Sequence, residues 1–427
     1  KSETKIDKVI SYINLQLGDS LIITDCESIS WLLNIRGSDL EYTPIPLSIV
    51  ILNKNKKIKF FSNAYFDEST KKYLGKNLDI LKLEEFEKYL EILGKNNENV
   101  IIDNQTCSYW AIQRLKYYGA KPLIKKNICL ELKARKNDIE KEGMRKAHIR
   151  DGKSLVETIF WIKNYKSDKS LDEIEICRQL FNFRKNNKNF IGLSFPTIAG
   201  TGPNGAIVHY RPSKENNREI KYGDLLLMDS GGQYLDGTTD VTRTIAIGKP
   251  DKEKKTMFTK VLKGHICLAT ATFPYGTTGH QLDLLARKFL WEDGLDYDHG
   301  TGHGVGSYLN VHEGPQNISK RYNNIILDEG MIISNEPGFY KEGQYGIRIE
   351  NLILVTRKIL PNSKIKFLNF ETLTLAPIDL SLIDVSLLEK NEINWVNQYH
   401  KNVYKKLSNF LSLEVNEWLK EETKTIN

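Results

Sequence analysis

Four carboxylates stand where acidic side chains are costly. Asp229 closes the apolar run Leu225-Leu-Leu-Met, and Asp240 opens the run Val241-Thr-Arg-Thr-Ile-Ala-Ile eleven residues later. Glu336 follows Met331-Ile-Ile-Ser-Asn and precedes Pro337-Gly338, and Glu350 lies within Ile347-Arg-Ile-Glu-Asn-Leu-Ile-Leu-Val. A carboxylate at the end of a buried strand is unfavourable unless it is paired or bound to a cation. Singly, each of the two aspartates reads as a turn or cap residue. Strand alternation puts Arg348 and Glu350 on one face, where an ordinary surface pair is the plain alternative. Together with the histidines the reading changes: His265, His280, His299, His303 and His312 fall within 48 residues, with His209 upstream. Four carboxylates and one neutral imidazole carry a charge of about −4, which two divalent cations balance. An oxygen-rich set with one nitrogen and no thiolate suits Mn, Co or Zn. Two such ions can activate water and polarise a carbonyl together.

Other patterns are decoys. Gly200-Thr-Gly-Pro-Asn-Gly205 matches a dinucleotide fingerprint, but Pro203 interrupts it and Ala206 to Tyr210 reads as a strand where a helix is required. Asn204-Gly205 reads as a tight turn. His299-Gly-Thr-Gly-His303 has the spacing of a helical zinc pair. Gly300, Gly302, Gly304 and Gly306 each cost about 1 kcal/mol in a helix relative to alanine, so an irregular or extended loop is expected. Neither a GxSxG elbow nor a GxxxxGK[ST] loop occurs.

Composition narrows the class. The chain has 427 residues, 40% hydrophobic and 27% charged, which excludes a disordered chain. The net charge of +7 is spread without long like-charge runs, so a nucleic-acid partner is not expected. No apolar run is long enough for a membrane span. The five cysteines form no CxxC and read as free thiols in a reducing compartment, hence cytoplasmic. Two sequons, at Asn104 and Asn317, carry little weight.

These residues need elements to position them. Residues 1–132 read as a small α/β unit. It has a helix over Lys5 to Leu17, strands at Ser20 to Thr24 and Val100 to Ile102, and a hairpin of Leu47 to Leu52 with Ile58 to Phe61. Helices follow over Ser28 to Asn34 and around Trp110 to Tyr118. Residues 133–427 form a second domain. Helical spacing marks Lys136 to Lys166, Ser170 to Lys185, Val261 to Phe273 and Gln281 to Leu290. Strands are expected at Leu225 to Met228, Val241 to Ile247, Met331 to Asn335 and Ile347 to Val355, with Gly231-Gly232 as the turn between the first two. A helical extension begins near residue 380, where Trp395, Tyr399, Val403, Leu407 and Phe410-Leu411 make an apolar stripe. Strands and helices in separate runs give an α+β class.

The stretches LLNIRGSDLEY (32–42), EGMRKAHIRDG (142–152), LSFPTIAGTGPNGAIVHY (193–210), MDSGGQYLDGTTDVTRT (228–244), LDYDHGTGHGVGSYLNVHEGP (295–315), NEPGFY (335–340) and GIRIEN (346–351) resemble the pita-bread metallopeptidases. Among these, the cytosolic X-Pro aminopeptidases (aminopeptidase P) are the most similar. The resemblance implies a creatinase-like first domain and a pita-bread catalytic domain, with a further family domain expected before Lys1. It implies Asp229, Asp240, His303, Glu336 and Glu350 as ligands of two divalent ions, usually Mn, with Asp240 and Glu350 bridging. His209, His299 and His312 would line the substrate site, Arg348 would lie near the metals, and Tyr340 would contact substrate or a ligand. The implied reaction is cleavage of small peptides with an N-terminal X-Pro by a hydroxide held between the ions. Glu336 would move the proton and His312 would assist the oxyanion. A homodimer is implied as well. The alternatives are a prolidase, a methionine aminopeptidase, or a non-catalytic relative that binds peptide, histone or nucleic acid.

Overall fold

A computed structural model describes residues 2–166 and 170–427; Lys1 lies outside the described residues. Two compact units divide after Lys133.

The first unit is a six-stranded mixed sheet. Its strands are β1 (Ser20–Ile23), β2 (Ile49–Asn53), β3 (Ile58–Phe61), β4 (Leu78–Leu81), β5 (Asn99–Ile102) and β6 (Lys121–Ile124), in the order β4-β3-β2-β1-β5-β6. The hairpin β2–β3 and the pair β1–β2 are antiparallel, while β1–β5, β5–β6 and β3–β4 are parallel. Central strands such as Leu21-Ile-Ile and Val100-Ile-Ile are buried on both faces, as short continuous apolar runs require. Helices Phe86–Lys95 and Tyr109–Tyr118 cover one face through Leu90, Leu93, Ala111 and Leu115. The Asp25 carboxylate caps helix Cys26–Leu33 by accepting the Ser28 N–H.

The second unit, Ala134–Asn427, groups small antiparallel sheets with long helices, the α+β arrangement expected. Its strands are β7 (Phe190–Leu193), β8 (Ile198–Thr201), β9 (Leu225–Ser230), β10 (Gly232–Tyr234), β11 (Gly237–Thr238), β12 (Val241–Ala246), β13 (Phe273–Pro274), β14 (Gly302–His303), β15 (Asn317–Ile318), β16 (Ile332–Asn335), β17 (Gly338–Lys341), β18 (Tyr345–Arg348), β19 (Asn351–Lys358) and β20 (Phe367–Thr372). They pair as β11-β10-β7, β12-β9-β8, β13-β20-β19-β16, β14-β15 and β17-β18. Helix Asp138–Lys163 starts with a capping box between Asn137 and Glu140 and buries Met144, Leu155, Val156, Ile159 and Ile162. Helices Glu173–Lys185 and Gly279–Trp291 lie close to their expected spans.

Several expectations fail for identifiable reasons. The turn between β9 and β12 is not Gly231-Gly232. The chain makes an extra hairpin, β10–β11, that turns at Leu235-Asp236. Gly231 is needed for close approach, since a Cβ there would lie 2.0 Å from the Thr239 carbonyl oxygen. Helix Lys252–Ala269 begins nine residues before the expected start, because its first turn is lysine-rich and shows no apolar period; Asp251 caps it. The segment Ala206 to Tyr210 is not a strand. Residues Gly202–Ala206 form a 3₁₀ turn, and a loop follows in which Ile207 is 56% exposed. The C-terminal stripe is split: helix Lys390–Leu407 buries Val396, Tyr399, Val403 and Leu407, but Phe410 lies past its end and is 57% exposed.

Candidate active site

The antiparallel strands β8, β9 and β12 bring the first two carboxylates together. Asp229 on β9 lies opposite Thr242 on β12, and Asp240 stands immediately before β12. The expected strand from Ile347 to Val355 is broken between β18 and β19, and Glu350 sits in the break. Its N–H donates to the Thr242 carbonyl at 3.1 Å, and its Oε2 accepts the Thr242 hydroxyl at 2.8 Å. Glu336 sits just beyond β16, and its N–H donates to the Thr301 carbonyl at 2.8 Å. His303 is on β14, where the Ser334 hydroxyl oxygen accepts its N–H at 2.9 Å. That approach depends on Gly302, where a Cβ would fall 1.9 Å from the Ser334 carbonyl oxygen.

Asp240, His303 and Glu350 present donor atoms within 4.8 Å of one another. His303 Nε2 is 3.5 Å from Asp240 Oδ2 and 3.5 Å from Glu336 Oε1, and Glu336 Oε1 accepts the Ser334 hydroxyl at 2.9 Å. Asp229 stands outside the tight trio. Its Oδ2 accepts from Arg348 Nη2 at 2.7 Å, while its buried Oδ1 has no hydrogen-bond partner among the described residues. Arg348 therefore pairs with Asp229 and not with Glu350, and both Arg348 and Glu350 are buried. Burial first, then Asp229 and Glu336, hold the Asp240 carboxyl well above the usual carboxylate range. Burial followed by Asp240, Glu336 and Asp229 does the same to Glu350. Burial also raises Glu336. A crowded oxygen set whose members disfavour each other's charge, with one imidazole and an orphaned buried carboxylate oxygen, fits two divalent cations.

These residues line a cleft of about 590 Å³ together with His209, His299, His312 and Arg348. The rings of His303 and His312 meet edge to face, 4.3 Å apart. The Glu313 N–H donates to the Gly304 carbonyl at 2.7 Å and ties the two histidine loops together. The buried Glu313 carboxylate is held by Lys136 Nζ at 2.5 Å. Desolvation in the cleft, then His303 and His209, push His312 down to about 4. Burial and the Arg348 guanidinium push His299 to about 3. As a neutral ring, His299 donates Nδ1–H to the Gly300 carbonyl at 2.8 Å and accepts the Tyr340 hydroxyl on Nε2 at 2.8 Å. The same Tyr340 oxygen accepts from Arg348 Nη1 at 2.6 Å, so a chain of hydrogen bonds runs from His299 through Tyr340 and Arg348 to Asp229. Tyr340 does not line the cleft itself.

Several residues that matter here carry no sequence signal of their own. The Thr242 hydroxyl accepts from Arg348 Nε at 3.2 Å while donating to Glu350, and so joins the two. Arg287 is fully buried, bonds Asp283, Asp296 and the carbonyls of Tyr297 and His299, and so sets the loop that carries His299. Buried Glu173 accepts from Thr201 N–H, Asn204 Nδ2, the Tyr210 hydroxyl and Arg218 N–H, which brackets the loop bearing His209. Phe195, Pro196 and Ile198 give the cleft an apolar wall.

The model of metallopeptidase family M24 matches residues 142–357. That of the creatinase/prolidase N-terminal domain matches 1–140, and that of the C-terminal region of peptidase M24 matches 366–426. A probable Xaa-Pro aminopeptidase P from Coprinopsis cinerea is 42% identical over 99% of this chain and 71% of its own. The chain belongs to metallopeptidase family M24. Xaa-Pro aminopeptidase 1 of Dictyostelium discoideum, another relative, is 38% identical over the whole chain and 69% of its own. A crystal structure of an X-prolyl aminopeptidase from Caenorhabditis elegans, described as a cytosolic enzyme with a di-nuclear active site, superposes with a TM-score of 0.94. It is 37% identical and covers 100% of this chain and 71% of that one. A prolidase from Pyrococcus furiosus superposes with a TM-score of 0.65 at 26% identity, over 86% of this M24 peptidase and 98% of its own chain.

Proposed function

We propose that this M24 peptidase is a metalloaminopeptidase that hydrolyses the bond between an N-terminal residue and a penultimate proline. The observation that carries this is the convergence of Asp240, His303 and Glu350 in one cleft, with Glu336 and Asp229 beside them, in a chain similar to Xaa-Pro aminopeptidases along its whole length. Asp229, Asp240, His303, Glu336 and Glu350 would hold two divalent cations, manganese by our reading. Bound there, the ions would supply Lewis acidity toward water and toward the scissile carbonyl.

The chain's own residues do the rest. Glu336 takes a proton from the attacking water and delivers it to the proline nitrogen, its Oε1 oriented by the Ser334 hydroxyl. His312, neutral at pH 7, donates its N–H to the carbonyl oxygen as charge builds there. Arg348 holds Asp229 and keeps Tyr340 against His299. Both nitrogens of His299 are engaged, so the ring offers carbon surface to the cleft and, with His209, frames a proline ring against Phe195 and Pro196. A proline nitrogen has no hydrogen to donate, so a pocket built for its shape loses nothing. The free N-terminal amine pairs with the acidic end of the cleft.

We further propose the division into domains 1–132 and 133–427 with a helical extension from about 380, a homodimer, and cytoplasmic residence, the last consistent with five free cysteines. Hydrolysis of an X-Pro-X tripeptide, paired with metal content by mass spectrometry, tests the function. Turnover of X-Pro dipeptides alone would assign a prolidase, and metal-loaded protein inert to both would overturn the proposal.

A further inference from the structure

The inner half of the cleft is acidic, and its rim adds cationic side chains. Arg211, Lys320 and Arg321 line the same cavity as the metal-site carboxylates. Lys320 is committed to Asp296 at 2.8 Å. Arg211 and Arg321 are exposed, and neither guanidinium has an ion-pair or hydrogen-bond partner among the described residues. Asp298 also lines the rim, yet no ion pair joins it to either arginine. Elsewhere in this unit arginines near carboxylates are used: Arg145 grips Glu371 with two bonds, and Arg184 grips Asp151 in the same way. Two open guanidinium forks on a substrate cleft are therefore unspent binding groups of the kind that takes carboxylates bidentately.

The aminopeptidase reading fixes where they stand relative to substrate. The amine and first carbonyl must lie at the acidic centre, so the peptide beyond proline leaves through the rim. We propose that Arg211 and Arg321 form a carboxylate-binding subsite for the part of the peptide beyond proline; this rests on the function proposed above. The carboxylate is either an acidic side chain or the C-terminus of a short peptide.

Four peptides separate the cases: Ala-Pro-Ala-amide, Ala-Pro-Ala with a free C-terminus, Ala-Pro-Glu-amide and Ala-Pro-Lys-amide. For solvent-exposed charge pairs, kcat/KM for a carboxylate-bearing peptide should exceed that for the neutral amide by about three- to tenfold, mostly through KM. The preference should fall as salt is raised. In the Arg211→Ala/Arg321→Ala double variant the ratio should drop to near one. A gain for the free acid alone assigns the subsite to the C-terminus, and a gain for the glutamyl amide alone assigns it to the side chain. Calorimetric binding of the four peptides to Glu336→Gln protein reads the same preference without turnover. Equal kinetics and equal binding across the four peptides, or a preference that survives in the double variant, overturns the subsite. Absence of hydrolysis with the binding preference intact overturns the proposed reaction instead.

Discussion

Glu336 combines two properties that suit a proton carrier: enclosure that favours its protonated form and a serine hydroxyl that fixes one oxygen. Replacement by glutamine keeps the shape and removes the exchangeable charge. Glu336→Gln should cut turnover by about 10²–10⁴-fold with an unchanged far-UV circular dichroism spectrum. Glu350→Gln takes charge from the crowded trio itself, so metal bound per chain, read by mass spectrometry, should fall along with activity. The residues themselves were largely legible in the sequence. A carboxylate at the end of an apolar run is conspicuous, and Asp229, Asp240, Glu336 and Glu350 all stand out that way. Thr242 and Ser334 were not legible, because a hydroxyl in a strand looks the same whether it orients a carboxylate or merely packs.

At the scale of elements, the site depends on loops pinned by buried charges. Glu173 accepts four donors from the segment that carries His209 and Arg211. Glu173→Ala strands those donors in a buried place and should cost about 3 kcal/mol in urea unfolding, with KM rising more than kcat falls. Arg287→Met leaves Asp283 uncompensated inside the fold and should cost about 3–5 kcal/mol by the same measurement. This scale also shows where sequence reading runs out. Helix Gly279–Trp291 was visible because its apolar face repeats at helical spacing. Ile207-Val208 has strand chemistry, so the sequence predicts a strand where the structure has the loop of His209. The local preference yields there to Glu173 and Asn204, which lie 36 and 5 residues from His209. Gly231 and Gly232 suggest a turn in the sequence because close backbone packing and chain reversal call for the same residue.

At the scale of the whole second unit, a buried neutral histidine weakens the fold toward acid. His400 is buried, its Nε2 accepts the Ile378 N–H at 3.0 Å, and burial followed by Arg243 pushes its pKa down to about 4. The unfolded ring protonates near 6.5. The stabilisation is therefore complete above pH 6.5, shrinks as pH falls from 6.5 to about 4, and does not change further below that. It is worth about 3 kcal/mol across this window, at 1.36 kcal/mol per unit. His400→Gln keeps the acceptor and removes the titration, so its Tm should fall less steeply than the parent's between pH 6.5 and 4.5. Chelation is the second lever at this scale. Withdrawing cations that bind only the folded form should lower Tm, by the equivalent of about 4 kcal/mol if they are present at a thousand times their Kd.

The five proposed donors come from five separate segments, the first at Asp229 and the last at Glu350. No single hairpin contains them, so a pair of ions shared among the five would fasten together more than a hundred residues of polypeptide. A ribosome-bound or proteolysed chain that stops short of Glu350 cannot close that clasp. Stable ion retention through gel filtration thus doubles as a check that synthesis and assembly have run to completion.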